Sequence, residues 1–116
     1  MRLEILNKID HKVEPVAVPE WDATVHVRSF SAGDRAKLMS LHREHQNDPA
    51  ILNIHLVILA CCDSDGRRMF EAEDFGALLA RNADAIDRIV EAALRLNHLD
   101  ADAVEAAKKN SSKTPS

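Results

Sequence analysis

The chain has 116 residues, 46% hydrophobic and 29% charged, values that fit one soluble domain and lie well away from disordered or membrane-spanning compositions. A net charge of -4, from 15 basic and 19 acidic residues, comes with 3% aromatics and no Tyr. The basic residues are scattered and rings are scarce, so neither a phosphate-tracking stripe nor a base-stacking platform is expected, and nucleic acid is not an expected partner.

At the start of the chain, Leu3, Ile5, Leu6 and Ile9 suit a short helix, and MRLEILNKID contains no signal-peptide apolar stretch. The spacing then changes. Val16, Val18, Val25 and Val27 alternate with other residues around Pro19 and a turn over Glu20 to Ala23, which predicts a β-hairpin. Pro15 cannot donate to a ladder, so the first arm is expected at a sheet edge. A lone hairpin is marginal in water, and this one must lie on helices or join further strands.

Ser31 and Asp34 form a capping-box pattern that starts a helix from Ala32 to about His45, and Asp48-Pro49 starts the next. That second segment, AILNIHLVILACC, is apolar nearly all round and reads as the central helix, with a buried strand as the competing reading. Its apolar run from Leu56 to Cys62 is far too short to cross a bilayer, so no membrane partner is expected and the protein is expected in the cytosol. The adjacent Cys61 and Cys62 are expected to be reduced and buried, since a disulfide between neighbours is strained and closes no useful loop.

DSDGRR predicts a turn with Gly66 at positive φ, followed by a brief extended stretch and a helix through Asp74, Phe75, Leu78 and Leu79. Asn82 caps the next helix, in which Ile86, Ile89, Val90, Ala93 and Leu94 follow the helical period, and Asn97 is the expected left-handed stop. Asp100 would cap a last helix running to Lys108 and Lys109, ahead of a disordered tail over 111–116. The expected fold is α+β, mainly α: one domain over 1–110, with an N-terminal β-hairpin packed on a bundle of about four to five helices.

No catalytic, cofactor or metal constellation emerges. With Gly66 at the sixth position of a calcium loop, Cys61 would be first and Ala72 last, where carboxylates are required. His42 and His45 lie one helical turn apart but lack the HExxH order and further ligands; His26 and His55 are isolated, and His55 is expected to be buried with its ring hydrogen-bonded. The serines gather at a helix cap and in the tail, and there is no glycine-rich phosphate loop. A binding or assembly protein is expected rather than an enzyme. Trp21, the one indole, either covers the hydrophobic face of the hairpin or anchors a partner.

Four segments in order, VPEWDATVHVRSFSAGDR, an apolar helix ending in DSDGRRMF, DFGALLARNADAIDRIVEAALRLNHL and DADAVEAAKKN, resemble the tail assembly chaperones of long-tailed phages and prophages over roughly residues 13 to 110. In that family a Gly commonly follows the Trp and another follows Leu-Asn, where this chain has Asp22 and His98. A Ser or Thr cap also often precedes the helix that begins here near Glu71.

The resemblance implies a non-enzymatic chaperone of the tape measure protein, present in the host cytoplasm and absent from the mature virion. It further implies tail tube subunits recruited through a frameshift-extended form, and possible homo-oligomers. The expected partner surface is the hairpin around Trp21, with Val25 and Val27, or the last helix with Val104, Lys108 and Lys109. The alternative, a small helical regulator or antitoxin-like module, predicts a helix with clustered basic and amide side chains, and no helix here has one.

Overall fold

The computed structural model describes residues 1–99, so the expected last helix and tail lie outside the described residues. The described residues form five α-helices and three strands: α1 (Arg2–Leu6), β1 (Val13–Val18), β2 (Ala23–Arg28), α2 (Ala32–Glu44), α3 (Pro49–Ala60), β3 (Cys61–Cys62), α4 (Phe75–Leu79) and α5 (Ala83–Leu96). The fold is α+β and mainly helical, with the hairpin on a helical body.

β1 and β2 pair antiparallel from Val13 opposite Arg28 to Val18 opposite Ala23, and β1 is the edge strand that Pro15 requires. The sheet has one more strand than the sequence reading. Cys61 and Cys62 leave the helix and pair with Val27 and His26, giving the order β1-β2-β3. The open edge of β2 supplies the reason, since its backbone groups need partners and an extended pair after α3 provides them. Val16, Val18, Val25 and Val27 point to one face, onto α3 and α5, where Ile54, Val57, Ile58, Ile86, Ile89, Val90 and Ala93 complete the core.

The caps follow the sequence. The Ser31 side chain accepts the Asp34 N–H at 3.0 Å while Asp34 Oδ2 accepts the Ser31 N–H at 3.3 Å, and Asp48 and Asn82 cap α3 and α5. The helix expected near Glu71 is split into a 3-10 turn, Ala72–Asp74, and the short α4. Asp74 Oδ2 accepts the Glu71 N–H at 2.8 Å, a cap built without Ser or Thr.

Two polar nodes hold the sheet to the helices. Arg28 reaches Asp34 at 3.2 Å, the Gly66 carbonyl at 3.4 Å and the Leu59 carbonyl at 3.5 Å, and Arg68 approaches the other Asp34 oxygen at 3.7 Å. β2, α2, the end of α3 and the DSDG turn thus meet at one ion cluster. The second node is Asn97, 4% exposed. Its side chain accepts the Phe30 N–H at 2.7 Å and donates to the Arg28 and Ala93 carbonyls at 3.3 and 2.9 Å.

Asn97 is therefore not the left-handed residue. Its φ is -96°, and His98 takes the left-handed position at φ 60°. The His98 and Leu99 N–H groups donate to the Arg95 and Leu94 carbonyls, a Schellman closure of α5. Asp22, after the hairpin 3-10 turn Pro19–Trp21, is also left-handed at φ 49°. The two non-glycine residues with positive φ among the described residues are thus the two positions where the resembled family commonly has Gly. A Cβ is disfavoured there, so His98→Gly, at an exposed site, is expected to raise the unfolding free energy by about 0.5–1 kcal/mol in thermal denaturation.

Candidate partner-binding surface

The hairpin turn positions the one indole. Pro19 fixes the first φ of the 3-10 turn, Asp22 reverses the chain, and both Glu20 carboxylate oxygens accept the Arg88 Nε–H of α5, at 2.8 and 3.0 Å. The Arg88 hydrogen bond holds the Glu20 carboxyl below its ordinary pKa, so the pair stays charged near neutrality. The turn is thereby tied to the helical layer.

Trp21 is half-buried against the core, and its remaining face lines an open groove of about 600 Å³ with Phe70, Asp74, Ala77, Leu78 and Arg81. The covering role expected for this residue describes its inner face. The groove floor is apolar, and its polar groups are one acid and one base, Asp74 and Arg81.

Val25 and Val27 correct the expectation that they contribute to the partner surface. They are 6% and 0% exposed, and β2 is the central strand, paired with β1 along its length and with β3 at His26 and Val27, so their side chains belong to the core. The period-2 pattern that identified the strand also assigned these two residues to its inner face. Val104, Lys108 and Lys109 lie outside the described residues. Phe70 and Arg81 lie within the quoted DSDGRRMF and DFGALLARN segments, but nothing local marks either as a groove residue. The only signal was an apolar residue after the DSDG turn and a cation at the end of α4.

The chemistry-bearing side chains take structural roles. Asp63 Oδ1 accepts the Asp65 and Arg67 N–H groups at 2.8 and 3.0 Å, closing the DSDG turn on itself, and these backbone bonds lower the Asp63 pKa. Gly66 supplies the positive φ of 84°. His55 is half-buried rather than buried, and it stacks on His45 at 5.4 Å and tilts on Phe75 at 4.8 Å, so its ring is held by packing rather than by the expected hydrogen bond. Burial, followed by the neighbouring His45, lowers its pKa. His42 is exposed and the stacked His45 faces His55.

Cys61 and Cys62 are buried free thiols, and burial, with the neighbouring Cys62, pushes Cys61 up to about 12. Neither thiol is poised as a nucleophile. Iodoacetamide at pH 8 is expected to leave Cys61 unmodified in the folded protein and to alkylate it fully in urea, as read by mass spectrometry.

The model of the family described as "Phage tail assembly chaperone" matches residues 3–109. Among solved structures, that of the bacteriophage HK97 tail assembly chaperone is similar in fold, with a TM-score of 0.61 and 22% identity, over 82% of this chain and 89% of that one. No curated protein matches the chain. The ordered motifs, the hairpin-on-helices fold and a family match over most of the length together place this chain in the phage tail assembly chaperone family.

Proposed function

We propose that this chain binds the tape measure protein during tail assembly and keeps that long client soluble until tube subunits polymerise around it. Family membership supports the setting, a non-catalytic role in tail morphogenesis. The observation that carries the contact is the open groove in which Trp21, Phe70 and Leu78 make an apolar floor between Asp74 and Arg81. An amphipathic client helix would bury its apolar stripe on that floor and meet both rim charges. One such groove is a modest site, and many copies along one client convert modest contacts into firm retention.

In this reading the chaperone acts in the host cytoplasm and is absent from the mature virion. A longer product of ribosomal frameshifting near Lys108-Lys109-Asn110 would carry the added segment that recruits tail tube protein. Co-expression with tape measure protein tests the client contact. Ala77→Arg places a long cation in the groove from an exposed helical position. It is expected to reduce co-purified client about tenfold or more, with Trp21→Ala acting in the same direction. Client recovery equal to wild type in both variants, with the fold intact, removes the groove from this role. Val104→Asp applies the same test to the C-terminal segment.

A further inference from the structure

α2 is held to the body along one narrow stripe. Asp34 is its only buried residue; Leu38, Leu41 and the C-cap His45 are half-buried, and the rest of the helix, Met39 at 58% included, is exposed. Positions 34, 38, 41 and 45 follow the three-and-four spacing of a single helix face, so α2 has two fixed ends and a thin middle. Its N-terminal end is rooted in the Ser31 and Asp34 box and the ion pair to Arg28. Its C-terminal end is a pair of imidazoles. The His45 ring stacks on His55 of α3 with centroids 5.4 Å apart and 21° between the planes, and His55 in turn tilts on Phe75 of α4 at 4.8 Å. Three helices therefore meet at two titratable rings.

We infer that the His45–His55 stack is a proton-operated clasp: neutral, it holds the C-terminal half of α2 on α3; protonated, it lets that half swing out from its Ser31 and Asp34 root. Two neutral imidazoles pack as flat rings, whereas two imidazoliums at this separation repel. The charges that act most on His55 all come from α2 and its cap. Burial and then His45 hold it below the ordinary imidazole value, Lys37 acts in the same direction, and Glu44 opposes them. Glu44 Oε2 also lies 3.9 Å from His45 Nε2, a partner for that ring once it is charged. His42 and Arg43, on the last turn of α2, are exposed. Of the other elements packed on α3, the 3-10 turn carries Glu73 and Asp74, α4 presents the Phe75 ring, and α5 carries Asp84, Asp87, Arg88, Glu91 and Arg95. When α2 swings out, His55 regains water, loses its stacked neighbour and returns toward the ordinary value near 6.5. The open form thus binds the proton more tightly, so the clasp is fully closed above about pH 6.5 and weakens as the pH falls below it. Opening bares Leu38 and Leu41, the apolar residues of the stripe.

The clasp needs no client and does not depend on the groove at Trp21. Hydrogen–deuterium exchange of the full chain, expressed as protection relative to the intrinsic rate at each pH, reads it. Between about pH 7.5 and 5.5, a window above the ordinary carboxylate range, protection over 38–47 is expected to fall about tenfold or more while α5 stays unchanged. His55→Phe keeps a ring against His45 and Phe75 but takes no proton, so its protection at the upper pH should match wild type and its pH response should disappear. His45→Phe makes the same test from the α2 side. His42→Gln, at an exposed position of the same helix, should keep the full response. Flat wild-type protection across the range, a wild-type response in either Phe variant, or loss of the response in His42→Gln overturns the inference.

Discussion

Replacing Asp34 with Ala is expected to lower the unfolding free energy by about 3–4 kcal/mol. Asp34 is 9% exposed, and its two oxygens serve three groups: the Ser31 N–H, Arg28 and Arg68. Removing it leaves Arg28, whose side chain is 13% exposed, with only the long contacts to the Leu59 and Gly66 carbonyls at 3.5 and 3.4 Å. An uncompensated guanidinium between β2 and α2 is costly because it is largely shielded from water. Asp34→Asn keeps an acceptor for the Ser31 N–H and loses the charge, so a smaller loss of about 1–2 kcal/mol is expected. Urea denaturation with an unchanged m-value checks both figures.

Asn97→Ala is expected to cost about 2–4 kcal/mol. The side chain satisfies the Phe30 N–H and the Arg28 carbonyl across the junction between strand, connecting loop and helix end, and truncation orphans both groups inside the protein. Asn97→Asp sharpens the test. A carboxylate can still accept from Phe30 but stands against the Arg28 and Ala93 carbonyls, which now face a like partial charge, so Asp should be no better than Ala. A loss below about 0.5 kcal/mol in either variant, read by the same denaturation, contradicts the assignment of Asn97 as the latch between sheet and α5.

The elements legible in the sequence were those encoded by local rules. The alternating valines, the Ser31 and Asp34 box, the Asp48-Pro49 start, the Asn82 cap and the period of α5 each depend on residues within a few positions of one another. What was not legible depends on distant partners. Arg28 falls on the outer face of β2 by the same alternation that places Val25 and Val27 inside, so it reads as a solvated cation. Only the arrival of α2, the end of α3 and the DSDG turn beside it makes it a hub. Asn97 likewise reads as a helix stop, and its tertiary bonds appear only once β2 ends beside α5. For Cys61 and Cys62, an apolar run continuing from α3 carries no mark of where helix becomes strand.

The same distinction governs the candidate site. Trp21 could be singled out because it is the one indole and sits in a turn. Its groove partners Phe70, Leu78 and Arg81 come from segments about fifty to sixty residues later and share no motif with it. Val25 and Val27 neighbour Trp21 in sequence, but alternation along the strand turns their side chains into the core.

The central claim is that this chaperone works through an outer surface on which other chains are held. Hydrogen–deuterium exchange of the full chain, alone and with purified tape measure protein, tests it most directly. The account predicts slowed exchange over the hairpin turn 19–22 and over 70–81, the segments that form the groove, with the α3 and α5 core unchanged. Client-dependent protection confined to the α2 face and the DSDG turn, with the groove exchanging as in the free protein, would contradict it.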